Sequence, residues 1–178
     1  MSALSSLAET RAPELGRETL PQAAPTLVLG LGNELRGDDG IGPAVIRELA
    51  ERPDLPPGVT VLDGGLAGVD TILLLKDAAR AIIVDAADQG LAPGEWRRVP
   101  VAMLIDHAIG KERGSAHSSG LAQALALGQA LGSLPPHLVV YAIQPERVDF
   151  SPGLSDALHA AIPSLCQAII SELRTPTA

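Results

Sequence analysis

Asp39, Asp85 and His117 are two carboxylates and an imidazole placed at three separate strand-to-helix junctions. Such a mixed oxygen and nitrogen set can hold Zn²⁺ or Ni²⁺ with coordination positions left open. Each residue also has a plainer explanation. An aspartate at a helix start satisfies unpaired N–H groups and the helix dipole. An aspartate at a strand end caps the turn after it, and a histidine in a first helical turn commonly faces solvent. Taken singly, the plainer explanation serves at each position, and spacing alone leaves the choice open.

Asp39 belongs to the stretch TLVLGLGNELRGDDGIG at residues 26–42, where an apolar run breaks into a glycine-rich loop and restarts as a helix. Gly30 and Gly32 supply the first two glycines of a dinucleotide fingerprint, but Leu35 takes the third position, and Asp38 and Asp39 would repel a pyrophosphate. No Gly-Lys-Ser/Thr follows, so the loop is not a P-loop either, and no HExxH helix marks an ordinary zincin. Asp38 reads as support for the turn at the helix start. Cys166 falls within the apolar pattern of the last helix and reads as inert core. Ser118 and Ser119 adjoin His117 but gain no role from adjacency, since a triad is defined by geometry. His107, His137 and His159 sit in no motif.

These residues need a scaffold, and the chain supplies alternating strands and helices. Leu27–Leu29 ending at Gly30, Val59–Leu62 ending at Asp63, Ala81–Val84 ending at Asp85, and Leu138–Ile143 are short aliphatic runs without polar alternation. Strands of that kind are buried on both faces, as in a parallel sheet. Trp96–Val101 is more polar and fits an edge strand. The spacing predicts helices over 42–51, 67–79, 116–131 and 153–173, with a charged, Gly-containing loop over 106–115. The rhythm predicts an α/β sandwich with a mostly parallel, five-stranded central sheet. Ligands in such folds bind beyond the carboxyl ends of the strands. Asn33, Asp38, Asp39, Asp63 and Asp85 all fall there.

Size and composition agree with one domain. The 178 residues are 46% hydrophobic and only 2% aromatic, so the core is built from Ala, Leu, Val and Ile. A net charge of −8, with no Lys/Arg cluster and one each of Trp, Tyr and Phe, argues against a nucleic-acid partner. One cysteine excludes an internal disulfide and a cysteine-based zinc cluster. Residues 1–25 lack the basic start and apolar block of a signal peptide and read as a flexible leader. Residues 26–173 form the domain, and 174–178 a frayed end. No apolar run is long enough to span a bilayer, so the expected setting is the cytoplasm, without a membrane partner.

Five ordered stretches, GLGNELRGDDGIG, DGGLAG at 63–68, IIVDA at 82–86, SAHSSGL at 115–121 and QPE at 144–146, together resemble the hydrogenase maturation endopeptidases over about residues 26–170. The resemblance implies a three-layer α/β/α sandwich. It implies an enzyme that removes a short C-terminal extension from the large-subunit precursor of a [NiFe] hydrogenase after nickel insertion. The metal-contacting residues of the family fall on Asp39, Asp85 and His117, which carry the catalytic and nickel-facing roles. The family often has Glu where this chain has Asp39, so the carboxylate here has a shorter reach. The nickel is expected to arrive in the precursor, with no organic cofactor. Asn33, Asp38, Gly64 and Gly65 are the candidates for contact with the substrate, the two glycines either admitting its tail to the backbone or forming a simple tight turn. A rival expectation is a non-catalytic nickel-sensing or chaperone-like module that binds the large subunit without cutting it.

Overall fold

A computed structural model of the chain describes residues 25–110 and 119–176, with only the backbone at 107–110 and 119. Residues 1–24 of the expected leader, His117 and Ser118, and the last two residues lie outside the described part. The elements are β1 (Thr26–Gly30), α1 (Ile41–Glu51), β2 (Val59–Asp63), α2 (Asp70–Leu75), β3 (Arg80–Ala86), β4 (Trp96–Pro100), α3 (Val101–Gly110), α4 (Ser119–Ala130), β5 (His137–Ile143) and α5 (Asp156–Arg174). A 3₁₀ turn at Gly37–Gly40 precedes α1.

The five strands form one sheet in the order β2-β1-β3-β5-β4. All pairings are parallel except β4 against β5. The aliphatic runs of β1, β3 and β5 are the three inner strands, and the more polar Trp96 segment lies at an edge, as its sequence predicts. Alternate residues of each inner strand serve opposite faces. Val28, Ile82, Val84 and Val139 pack with Val45 and Leu49 of α1 and Leu165 and Ile169 of α5. Leu29, Ile83 and Val140 pack on the other face with Leu75, Ile105, Leu121 and Leu125 from α2, α3 and α4. The result is the expected three-layer α/β/α sandwich.

Several boundaries differ from those the spacing predicts. Val101–Gly110 is a helix, where the sequence suggests a strand end running into a loop. Ala, Met, Leu and Ile fill most of its first turns and favour helix, while, Asp106 apart, the charged residues that suggest a loop begin at Lys111. Helix α2 is shorter than predicted, because turn bonds from Thr71 N–H to the Gly68 carbonyl and from Ala78 N–H to the Leu75 carbonyl bracket it. Helix α5 begins at Asp156, where the Ser155 side chain accepts from Leu158 N–H as an N-cap.

The opposite end of α5 is held by Arg80, at the start of β3. Its guanidinium donates to the carbonyls of Glu172, Leu173 and Thr175 and lies beside the Glu172 carboxylate. These carbonyls are the unpaired acceptors at a helix C-terminus, where a cation is also favoured by the dipole. These bonds tie the start of β3 to the last turn of α5 and its cap residue Thr175. Arg80→Ala should cost about 2 kcal/mol, in the range for hydrogen bonds to a charged group. Urea unfolding at neutral pH checks this, and an unchanged midpoint would show that these bonds add nothing.

Candidate functional site

The chain passes from β1 through α1 on one face to β2, then through α2 on the other face to β3. The crevice beyond β1 and β3 is therefore the topological switch point of the sheet, the place where such folds bind ligands. The loop after β1 and the end of β3 meet there. Leu31 N–H donates to the Val84 carbonyl at 2.8 Å, extending the β1–β3 pairing into the loop. Gly32 N–H donates to the Gly65 carbonyl at 2.8 Å, tying the loop also to the end of β2.

The glycines of this loop let the backbone fold on itself. Gly32 has φ of 135°, and a Cβ there would strike the Asp39 carbonyl. A Cβ on Gly30 would meet the Gly42 carbonyl oxygen and Ile46 Cγ1 at 2.5 Å each. Folded in this way, the loop places Asn33 N–H 3.0 Å from Asp39 Oδ2, to which it donates. The Asn33 side chain accepts from Leu35 N–H at 3.0 Å and closes the turn.

Asp85 occupies the last part of β3, in register with Ala142 of β5. Burial pushes its carboxyl up to about 7, the negative charge of Asp39 adds to the rise, and a hydrogen bond from Ala86 N–H only partly opposes it. The structure therefore brings Asp39 and Asp85 into electrostatic contact at the switch point. Two carboxylates whose charges are coupled in this way can share a proton or a cation, and a strongly shifted acid in a crevice is a common mark of a functional site. Oxygen donors of this kind suit a divalent ion completed by an imidazole. His117, the third expected ligand, lies outside the described residues. Among the described residues no group of three or more His, Cys, Asp or Glu side chains forms a metal cage.

The other residues at this edge divide by task. Asp38, grouped by sequence with the substrate contacts, is fully buried. Its carboxylate accepts from Glu146 N–H, Arg147 N–H, Ser155 N–H and the Ser155 hydroxyl, at 2.8, 3.0, 2.6 and 3.0 Å. Burial alone would raise its pKa, but these four donors more than offset that and hold the carboxyl below its ordinary range. Asp38 thus supports structure and has no exposed face for a substrate. Asp63 turns back to accept from Gly65 N–H at 2.9 Å. Gly64 lies against Leu29 and Leu31, which a Cβ would meet at 2.7 and 2.9 Å, whereas Gly65 has φ of 64° and open space around it. The crowding explains one glycine and the backbone conformation the other.

A cleft of about 280 Å³ opens beside Asp39, lined by Ala86, Asp88, Gln144, Pro145, Glu146 and Arg147. Buried Gln144 holds its wall, accepting from Gln89 N–H at 2.7 Å and donating to Asp88 at 3.2 Å. Ser155 is the residue that motif reading passes over. Its signal is a Ser-Asp pair just before a helical period, the usual mark of an N-cap. Cys166 is buried in the core as its position implies, and burial pushes its thiol up to about 11. His137, at the first position of β5, and His159, within α5, are exposed.

Comparison with known proteins gives a consistent set of relatives. The family model described as hydrogenase maturation protease matches residues 43–172. The hydrogenase expression/formation protein HupD of Bradyrhizobium diazoefficiens is 33% identical over 80% of this chain and 77% of its own length. The hydrogenase 2 maturation protease of Escherichia coli is 32% identical over 83% of this chain and 90% of its own. Among solved structures, the hydrogenase maturating endopeptidase HybD from E. coli superposes with a TM-score of 0.71 at 30% identity, covering 84% of this chain and 92% of that one.

Proposed function

Since this chain belongs to the hydrogenase maturation protease family, we propose that it removes the C-terminal extension of a [NiFe]-hydrogenase large-subunit precursor after nickel has been inserted. The observation that carries the proposal is the Asp39–Asp85 pair. Holding a second carboxylate near an existing one, in a site that already raises its pKa to about 7, is costly unless a cation visits the crevice. The nickel of a loaded precursor is such a cation. Named relatives that are maturation proteases support the peptidase reading, and the coupled charges of Asp39 and Asp85 support a nickel-dependent one.

The chain's own residues take distinct parts in this reading. Asp39 is oriented by the N–H of Asn33 through one carboxylate oxygen. Asp85 holds a proton for part of the time near neutral pH and gives it up when a cation is shared with Asp39. His117 completes the donor set, as the resemblance implies. Nickel carried by the precursor supplies Lewis acidity that polarises a peptide carbonyl. Gly65, with open space around it, leaves the backbone at the end of β2 accessible to an extended tail. The described residues include no helix long and apolar enough to cross a membrane. We place the reaction in the cytoplasm.

The experiment is processing of a nickel-loaded precursor followed by mass spectrometry. Wild-type protein is expected to produce a mass loss equal to the tail. Asp39→Ala and His117→Ala are each expected to slow processing about 100-fold or more, since losing even an outer partner of a metal ligand costs 10- to 100-fold. Full activity in both variants would remove these residues from the site. Tight nickel-dependent binding with the tail left intact would instead identify a non-cutting chaperone.

A further inference from the structure

We infer that Asp38 is a positioning residue: it locks the turn that carries Asp39 to the β5–α5 connection and so fixes the Asp39 carboxylate in the crevice. The inference rests on the reading of Asp39 as a nickel-facing group and adds a residue that this reading does not include.

Asp39 follows Asp38 in the four-residue turn Gly37–Gly40, so the peptide between them moves with both. The turn has few anchors of its own. Arg36 N–H bonds the Asn33 carbonyl, Asp39 N–H bonds the Arg36 carbonyl, and Asn33 N–H reaches the Asp39 side chain. Asp38 adds a dense set of bonds to a segment more than 100 positions later. Its N–H donates to the Arg147 carbonyl at 3.1 Å, and its two carboxylate oxygens accept four donors from Glu146, Arg147 and Ser155. Gly37 N–H adds a bond to the Ser151 carbonyl at 2.8 Å.

The segment so held also forms part of the site. Glu146 and Arg147 line the cleft beside Asp39. One buried carboxylate therefore ties the two walls of that cleft together, with Asp39 on one and the 146–147 backbone on the other. Ser155 serves twice, binding Asp38 and capping α5, so the clamp is anchored on the longest helix of the fold. A carboxylate is needed because all four partners donate. An asparagine would direct its NH₂ at one or more of them in either orientation.

The test reads Asp39 placement without using its activity. Asn33 N–H is held by Asp39 Oδ2, so its hydrogen exchange, followed by NMR, reports whether that carboxylate stays in place. In Asp38→Asn, Asn33 exchange should speed up at least tenfold relative to the core amide of Val140. Ser155→Ala removes one donor and should give a smaller selective increase, about two- to fivefold. It also decides the matter if Asp38→Asn does not fold. Arg80→Ala, at the amino end of β3 and away from the crevice, serves as a destabilised control and should show no selective effect at Asn33. Asn33 exchange that merely tracks Val140 in both site variants would overturn the inference. Selective loss of protection in these variants, together with wild-type protein that leaves a nickel-loaded precursor uncut, would support the clamp and reject the proposed activity.

Discussion

Asp85→Asn should abolish precursor processing and at the same time stabilise the free protein above pH 7. The two effects have one origin. In the folded chain burial and the charge of Asp39 raise the Asp85 carboxyl from 3.8 to about 7. The folded state therefore binds this proton more tightly than the unfolded state does. Stability contributed by the group is fully present below pH 4 and is lost as pH rises toward about 7. A shift of this size corresponds to roughly 4 kcal/mol, at 1.36 kcal/mol for each unit.

Asparagine has no proton to lose. Its advantage should be near zero below pH 4, grow through the interval up to about 7, and level off above it. Urea unfolding at pH 4, 6 and 8 in the presence of a chelator measures this directly. Processing should fall about 100-fold or more in the same variant. A residue that destabilises the fold while serving the reaction is the expected trade at a functional site. An Asp85→Asn protein no more stable than wild type at pH 8 would mean that the carboxylate is not held at the expense of the fold.

Gly42→Ala should have the largest effect on folding, a loss of at least about 3 kcal/mol. Alanine is the better helix former by about 1 kcal/mol, and propensity alone would predict a gain. At Gly42, though, a Cβ would overlap the Leu31 carbonyl oxygen, approach the Leu31 nitrogen at 2.5 Å and reach the Val84 carbonyl oxygen at 2.8 Å. All three are backbone atoms of the sheet and its extension, and no side chain can yield. Relief requires α1 to move away from β1 and β3, which carries the Asp39 turn with it. Gly68→Ala is the matched control, since nothing lies within 4 Å of a Cβ there. Thermal unfolding of the two variants separates them. A Gly42→Ala midpoint equal to that of Gly68→Ala would show that α1 shifts without cost.

These effects also show which features of the site the sequence makes legible. The strands are readable because β1, β3 and β5 are buried on both faces at their centres and therefore carry mainly aliphatic runs there. The carboxyl-end rule then groups Asp39 and Asp85 with Asn33, Asp38 and Asp63 at one side of the sheet, and the strand order that puts the switch point between β1 and β3 is supplied by the structure. Less visible were contacts made between backbone and side chain across long separations. Asp38 is a local helix-start aspartate by its position, yet its partners are Glu146, Arg147 and Ser155. No periodicity connects residues so far apart. Gly30 and Gly32 look like parts of a cofactor loop by spacing, whereas packing between the loop, β1 and α1 is what requires them, and Gly42 with them. The helix at Val101–Gly110 was obscured because charged residues immediately after it dominate the local composition.

The central claim is that the protein acts on a precursor only when nickel is present in it. The most direct measurement offers the purified protein the same large-subunit precursor in nickel-loaded and nickel-free forms and follows the mass of each. Loss of the C-terminal tail from the loaded form and an intact mass for the nickel-free form are the expected results. Equal cleavage of both forms would contradict the claim.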